Sequence, residues 1–279
     1  MREHDRKPRR GGLGAKPGET HELLNRRERF QRARRETLQP GPDRPSALYG
    51  WHTVKAALEN PARQIRKLLA TENTARRLAE ERVPLPLTPD IVRPSVIAER
   101  LSPDAVHQGI YAEADPLPSL DIEQIAPAGI VLVLDQITDP HNVGAILRTA
   151  AGFAVAAVVT TARHSPEATG VLAKSASGAL EFVPIVTVQN LARALAALKE
   201  RGYLLVGLDS TGDADLGNVA MRAPLALVLG AEGKGLRQLT RATCDEVARL
   251  DLPGKIKSLN VSNAAALALY VATKRLASR

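Results

Sequence analysis

The sequence GIVLVLDQITDPHNVGAILRT (residues 129–149) carries the clearest structural signal in this chain of 279 residues. Its first part, Ile130–Leu134, is an uninterrupted apolar run, which is typical of a strand buried on both faces of a sheet. The segment from Asn142 to Phe153 has apolar side chains at helical spacing. A buried strand that leads into a helix predicts an α/β fold with a parallel sheet.

The same alternation of strand and helix continues to the end of the chain. Further strands are predicted at Val155–Thr160, Phe182–Val186, Tyr203–Leu208, Leu225–Leu229 and Val247–Leu250, and helices at Glu167–Ala179, Leu191–Arg201, Leu236–Thr243 and Ser262–Leu276. Apolar strands that alternate with helices indicate a parallel sheet covered on both faces. We therefore predict one α/β domain over residues 129–279.

The pattern of apolar residues in the segment 47–115 predicts a smaller α/β domain. Its expected elements are helices at Trp51–Asn60, Thr71–Glu81 and Ser95–Leu101, and strands at Ile65–Ala70 and Val106–Ala112. Residues 116–128 contain three prolines and show weak periodicity, so they are predicted to be a linker.

The net charge of +8 is concentrated at the N-terminus. Residues 1–46 hold thirteen Lys or Arg and seven Asp or Glu, whereas the rest of the chain holds twenty-five and twenty-three. We predict that this segment is a disordered basic tail, because it has no sustained apolar period. Such an arm suits a polyanion, since each phosphate it neutralises releases counterions. A merely solvated tail is the alternative.

Composition excludes several classes of protein. Eight aromatic residues, 3% of the chain, are too few to favour a protein that reads single-stranded RNA by stacking. No apolar run is long enough for a membrane helix, and the charged N-terminus does not resemble a secretory signal. The single cysteine, Cys244, excludes an internal disulfide and a cysteine-rich zinc site. We expect a cytoplasmic protein without a metal.

Three loops that follow predicted strands are unusual: residues 135–149, 229–236 and 250–263. Ligands of parallel α/β sheets bind beyond the carboxyl ends of the strands, where these loops lie. Their glycines match neither a P-loop nor G-x-G-x-x-G, and Asp139-Pro140 stands where a dinucleotide-binding fold needs a glycine turn. A Rossmann oxidoreductase and a glycine-loop methyltransferase are therefore disfavoured.

Together the three loops resemble the SpoU-type RNA ribose 2′-O-methyltransferases of the SPOUT superfamily. D-P-x-N-x-G-A-I-x-R-T (139–149), L-G-A-E-G-x-G (229–235) and L-P-G-x-x-x-S-L-N-V-S (252–262) look like the three motifs of that family, in the family's order. K-S-A-S-G-A (174–179) also matches. The segment 47–115, with Y-G-W-H-T-V and H-Q-G-I, is similar to a substrate-binding domain related to ribosomal protein L30e.

The resemblance implies a fold and a cofactor. The fold is α/β, with a deep trefoil knot in the C-terminal parallel-sheet domain and a small L30e-like N-terminal domain. The cofactor is S-adenosyl-L-methionine, and the matching contact residues are Gly230, Leu250 and Leu259. Asp251 departs from the family pattern, which often has proline there. Its carboxylate is expected either to alter the loop or to face solvent.

By the same resemblance the catalytic residues are Asn142, Arg148, Glu232, Ser258 and Asn260. A guanidinium has a pKa above about 12 and is a poor base, so the physically stronger role for the arginine is to clamp a phosphate beside the target ribose. The amides, the carboxylate and the hydroxyl would orient the arginine and the nucleotide. Each residue also has a structural interpretation. Arg148 could form a surface ion pair, and Asn142 could cap the helix that it begins. Glu232 could cap the helix that begins near Gly235, and Ser258 and Asn260 could cap the last helix.

The resemblance thus predicts that the protein methylates a guanosine ribose 2′-hydroxyl in 23S rRNA. The rRNA could be free or part of a precursor of the large ribosomal subunit. The resemblance also predicts a homodimer. The choice of rRNA depends on residues 47–115, because tRNA-specific members often lack that domain. A tRNA 2′-O-methyltransferase and a catalytically idle rRNA-binding assembly factor are the alternatives.

Overall fold

The computed structural model describes residues 45–162 and 170–277. Nearly all of the predicted basic tail lies outside the described residues, and so do the first three residues of the helix predicted from Glu167.

The N-terminal sheet has four strands, in the order β1-β4-β2-β3. Its strands are β1 (Ser46–Tyr49), β2 (Ile65–Ala70), β3 (Asp90–Ile91) and β4 (Ile110–Ala114), and its helices are α1 (Trp51–Glu59), α2 (Glu72–Glu80) and α3 (Pro94–Ala98). The strands β1 and β2 both run antiparallel to β4, whereas β3 runs parallel to β2. The buried side chains Trp51, Val54 and Leu78 belong to its core. The predicted small α/β unit is therefore present.

The C-terminal sheet has seven strands, in the order β7-β6-β5-β10-β8-β11-β9. Its strands are β5 (Ile130–Asp135), β6 (Ala157–Thr161), β7 (Ile185–Val188), β8 (Leu204–Leu208), β9 (Ala214–Asp215), β10 (Leu225–Gly230) and β11 (Glu246–Arg249). Its helices are α4 (Pro140–Gly152), α5 (Gly170–Ala176), α6 (Leu191–Glu200), α7 (Gln238–Thr243) and α8 (Val261–Ala277). Every neighbouring pair of strands is parallel, which confirms the predicted sheet.

Alternate residues of β5 explain why helices cover both faces of this sheet. Leu132 and Leu134 lie in one buried cluster with residues of α4, α5 and α8. Val131 and Val133 point to the opposite face and lie in a second cluster with residues of α6. The apolar run read from the sequence is therefore buried on both sides. None of the described helices combines the length and the apolarity needed to cross a membrane.

The segment predicted as a linker is partly docked onto the second cluster. Residues Ile122–Gln124 form a 3-10 helix, and Ile122 and Ile125 are buried. The Tyr203 hydroxyl donates a hydrogen bond to the carbonyl of Ala126 at 2.7 Å. Two isolated isoleucines give no periodic signal, so the sequence did not indicate this docking.

Two predicted strands begin three or four residues later than expected. The strand β4 begins at Ile110 rather than Val106, because Gln108 and Gly109 have φ values of 55° and 76° and form a turn. The strand β7 begins at Ile185 rather than Phe182, because a 3-10 helix extends to Glu181. The short edge strands β1, β3 and β9 were not predicted, since two to four residues carry too little pattern.

A buried ion pair joins the N-terminal domain to the C-terminal domain. Arg63 Nη2 lies 2.6 Å from Glu181 Oε1, and their side chains are only 5% and 3% exposed. Asn60 Nδ2 donates to the same carboxylate at 2.7 Å, and Arg63 Nη1 donates to the carbonyl of Asp115 at 2.7 Å. The charges are thus satisfied by each other and by hydrogen bonds, as burial requires.

We predict that Glu181→Ala lowers the free energy of unfolding by about 3–5 kcal/mol, because it leaves Arg63 buried without its partner. Urea unfolding measures this change. The matched control is Glu59→Ala, which removes an exposed glutamate 3.8 Å from Lys55 and should cost less than about 1 kcal/mol. Equal losses for the two variants would contradict a special role for the buried pair.

Candidate functional site

A cavity of about 710 Å³ opens at the carboxyl ends of β8, β10 and β11. Its volume falls within the range of about 300–1,000 Å³ that is usual for small-molecule sites. Its walls come from residues 208–211 after β8, residues 229–236 after β10, and parts of the segment 249–261 after β11. Two of the three loops singled out in the sequence therefore line one cavity at the expected edge of the sheet.

The loop after β10 folds back tightly on itself at Gly230. The amide of Gly235 donates a hydrogen bond to the carbonyl of Ala231 at 2.9 Å. A Cβ atom at Gly230 would lie 2.2 Å from the carbonyl carbon of Gly235, so no other residue fits without moving the backbone. Gly235 itself has a φ of 65°, which favours glycine. The result is a narrow loop whose backbone borders the cavity.

A second buried charge anchors this loop to the neighbouring strand. Asp135, the last residue of β5, is 1% exposed. Its carboxylate accepts hydrogen bonds from Arg237 Nε at 2.6 Å and from the Arg237 backbone amide at 3.1 Å. The end of the glycine loop is thereby fixed to the strand that precedes the first motif.

Asp209 fixes the same loop from the other side. Its carboxylate accepts hydrogen bonds from the amide of Leu236 at 3.1 Å and from the amide and hydroxyl of Thr211 at 2.9 and 2.8 Å. Burial raises the pKa of Asp209, but these hydrogen bonds and the nearby charge of Arg241 outweigh it, so the pKa lies below its ordinary value of 3.8. No sequence motif indicates Asp209, because one aspartate after a strand is not a distinctive signal.

The third loop places Leu250, Ser258 and Leu259 in the cavity wall. Asp251 turns away, because its carboxylate pairs with Arg249 Nε at 2.7 Å and is 59% exposed. The sequence left two possibilities for Asp251, namely that its carboxylate alters the loop or that it faces solvent. The carboxylate faces solvent. Leu250 lines the same cavity as Gly230.

The two predicted asparagines meet at the N-termini of α4 and α8. Asn260 Nδ2 donates to Asn142 Oδ1 at 3.0 Å, while Asn260 Oδ1 accepts from the amide of Ser262 at 2.9 Å. Asn260 therefore also caps α8, as its structural interpretation predicted. The corresponding prediction for Asn142 is wrong, because Asp139 is the cap of α4 and accepts from the amide of His141 at 2.9 Å.

Arg148 lies apart from the other predicted residues. It is exposed on α4, it is not part of the cavity wall, and it makes no hydrogen bond or ion pair with any residue in the ranges 45–162 and 170–277. It lies six positions after Asn142 in the chain. On an α-helix this separation places the two residues about 9 Å apart along the axis and about 120° apart around it. The structure of one chain therefore does not bring Arg148 to the cavity.

The polar lining of the cavity suits a zwitterionic molecule with an apolar part. Glu232 lines the cavity with its carboxylate free of hydrogen bonds to other described residues, and Lys234 and Lys257 lie nearby. Leu250 and Leu259 supply apolar surface. In a small molecule with an ammonium, a carboxylate and a flat ring system, the ammonium could bind the glutamate, the carboxylate could bind a lysine, and the ring could pack on the leucines. Within the described ranges, no group of three or more His, Cys, Asp or Glu side chains is arranged to hold a metal.

Two family profiles match the chain. The profile of the SpoU rRNA Methylase family matches residues 129–270, and that of the RNA 2′-O ribose methyltransferase substrate-binding domain matches residues 47–120. Curated relatives include the 23S rRNA (guanosine-2′-O-)-methyltransferase RlmB of Pseudomonas putida, which is 36% identical over 82% of this chain and 96% of its own length. The RlmB protein of Vibrio cholerae is 37% identical over 83% of this chain and 98% of its own length.

Solved structures share the fold. The SpoU methyltransferase AviRb from Streptomyces viridochromogenes, in complex with AdoMet, superposes with a TM-score of 0.71 at 23% identity and covers 83% of this chain and 90% of its own. A putative RNA methyltransferase of the TrmH family from Porphyromonas gingivalis gives a TM-score of 0.71 at 25% identity over 94% of this chain and 100% of its own. Both likenesses extend over the two sheets.

We predict that Asp209→Ala lowers the free energy of unfolding by about 1.5–3 kcal/mol at pH 7, because a charged hydrogen-bond acceptor is lost. The folded-state pKa lies below 3.8, so the carboxylate stabilises the fold above that pH and loses this effect as the pH falls through the lower value. The difference from wild type should therefore shrink below pH 3.8. Chemical unfolding at several pH values measures it.

The control for this experiment is Asp213→Ala, four residues along the chain. The Asp213 side chain is exposed and makes no hydrogen bond with the described residues. If Asp209→Ala costs no more than Asp213→Ala at pH 7, the carboxylate of Asp209 does not hold the glycine loop.

Proposed function

Because this chain belongs to the SpoU rRNA methylase family, we propose that it transfers the methyl group of S-adenosyl-L-methionine to the ribose 2′-hydroxyl of a guanosine in 23S rRNA. The observation that carries the proposal is the cavity at the carboxyl edge of the sheet, which is lined by the loops of the second and third motifs. The substrate follows the curated relatives, which are similar over more than four-fifths of the chain, including the substrate-binding segment 47–120.

Gly230, Leu250 and Leu259 are the residues that we propose to hold the cofactor. All three line the cavity, and the absence of a side chain at Gly230 lets the backbone of Gly235 pack against it, which sets the shape of the wall. S-adenosyl-L-methionine, when bound, supplies a methyl group on a positively charged sulfur. Glu232 offers a carboxylate to the cationic part of the ligand, and Ser258 offers a hydroxyl to its polar groups.

Arg148 is proposed to clamp the phosphate next to the target ribose, through a bidentate, charge-assisted contact. Such positioning can contribute about 7–11 kcal/mol of the barrier in favourable cases. The amides of Asn142 and Asn260, held together at 3.0 Å, would orient the ribose. The hydroxyl proton becomes acidic as the 2′-oxygen bonds to the methyl carbon, and it would pass to an oxygen of the clamped phosphate or to Arg148 perturbed by that phosphate.

We propose that the active unit is a homodimer in the cytoplasm. Arg148 is exposed and is not part of the cavity wall of its own chain, so we infer that a second copy brings it to the reaction site. The helix α8 supports this arrangement, because Ala265 and Leu269 are buried inside the chain while Leu267 and Tyr270 on its other side are 45% and 54% exposed. An exposed apolar stripe of this kind is typical of an interface.

Methyl transfer from tritiated S-adenosyl-L-methionine to unmodified 23S rRNA, with unmodified tRNA in parallel, tests the proposed function. We expect label in 23S rRNA alone, recovered after nuclease digestion as 2′-O-methylguanosine. Label in tRNA alone would identify a tRNA methyltransferase. Cofactor binding without label in either free RNA or precursor large subunits would identify an idle assembly factor.

In the same assay, Arg148→Ala should abolish transfer while cofactor affinity stays at the wild-type value, because the arginine acts on the RNA. Arg193→Ala, which removes an exposed arginine on α6, should leave transfer unchanged. Full activity of the Arg148 variant would contradict the proposed role.

Mixing two inactive variants tests whether Arg148 acts across the dimer. Gly230→Val should distort the cavity wall and prevent cofactor binding, because a side chain there meets the backbone of Gly235. Heterodimers of this variant with Arg148→Ala should regain part of the activity, since one intact cavity then faces one intact Arg148. No recovery in mixtures that are shown to exchange subunits would place Arg148 in its own chain's site.

A further inference from the structure

The ammonium group of Lys174 lies where α5 meets the N-terminal domain. Its Nζ donates a hydrogen bond to Gln108 Oε1 at 3.0 Å, and the same oxygen accepts from the backbone amide of Trp51 at 3.0 Å. The side chain is half-buried. Lys174 therefore belongs to the C-terminal domain but occupies a position shaped by two loops of the N-terminal domain.

The backbone of those two loops leaves a fitted space for the ammonium. A Cβ atom at Gly50 would lie 2.2 Å from Lys174 Nζ, so the residue at this position must be glycine for the lysine to lie there. Gly50 has a φ of 84°, and Gln108 and Gly109 also adopt left-handed values. Of these residues, Gln108 is not a glycine, so its φ of 55° is uncommon, and its side-chain oxygen is the one that accepts from the ammonium.

The charge of Lys174 has no negative partner within the described part of the chain. No carboxylate of those residues lies within 4 Å of it, whereas Lys55 and Lys199 form ion pairs of 2.6 and 2.9 Å. Partial burial lowers the pKa of Lys174. The half-buried ammonium keeps one neutral hydrogen-bond partner, so an anion that approaches it meets no competing carboxylate among the described residues.

Polar side chains connect this position to the reaction site. Ser175, the next residue, has its Oγ 3.2 Å from His141 Nδ1. His141 precedes Asn142, which is bonded to Asn260 beside the cavity wall. These contacts therefore lead from the position of Lys174 toward the cavity wall.

We propose that Lys174 binds a backbone phosphate of the substrate RNA at the junction between the two domains, with Gln108 orienting the ammonium. The contact would fix the strand on the N-terminal domain relative to the cavity that receives the target ribose. This inference rests on the proposed function, because it takes RNA as the substrate. The competing explanation is that Lys174 only clamps the two domains together.

The salt dependence of RNA binding separates these explanations. The association constant of the full chain for unmodified 23S rRNA transcript is measured between 50 and 200 mM KCl for the wild type, Lys174→Gln and Lys174→Arg. Lys55→Gln is the control, because it removes a charge that is already paired with Glu81. Thermal unfolding and cofactor affinity are measured for every variant.

Lys174→Gln should weaken rRNA binding roughly three- to tenfold and make the slope of log K against log salt less steep by about 0.7–0.9, which corresponds to one phosphate contact. Lys174→Arg and the Lys55 variant should keep the wild-type slope, and all variants should keep the wild-type cofactor affinity. An unchanged slope for Lys174→Gln, with or without a lower Tm, would overturn the inference. Failure of the proposed function would appear separately, as wild-type protein that neither binds nor methylates 23S rRNA.

Discussion

The pairing of β10 with both β5 and β8 is the constraint on which the rest of the structure depends. Gly230 lies opposite Asp135 in one ladder, and Leu229 lies opposite Leu208 in the other. Three segments far apart in the sequence therefore end side by side at one edge of the sheet. The loops that follow β8 and β10 can then form two walls of the same cavity, and the loop after β11 closes the third.

Charged side chains behind this edge hold the glycine loop in place, so its geometry does not depend on the loop alone. Asp135 binds Arg237 after the loop, and Asp209 binds the amide of Leu236. Such a preorganised backbone can contact a ligand without paying for its own ordering, which is a general route to tight binding. Because the loop is held at this place, a side chain at Gly230 would collide with the backbone of Gly235.

The sequence predicted the architecture well because the apolar runs of the large sheet are long and buried on both faces. It also identified most of the cavity, since Gly230, Glu232 and Leu259 belong to contiguous motifs. It could not identify Asp209 or the buried pair of Arg63 and Glu181, because these contacts join distant segments through single residues. Nor could a motif indicate that its arginine would lie outside the cavity wall of its own chain.

A crystal structure of the protein with S-adenosylhomocysteine tests the central claim most directly, namely that the loops after β8, β10 and β11 form the cofactor site. We predict that the ligand lies in the cavity of about 710 Å³, in contact with Gly230, Leu250 and Leu259. The loop from 230 to 236 should keep its backbone conformation. A ligand bound elsewhere, or a glycine loop that must unfold to admit it, would contradict the account.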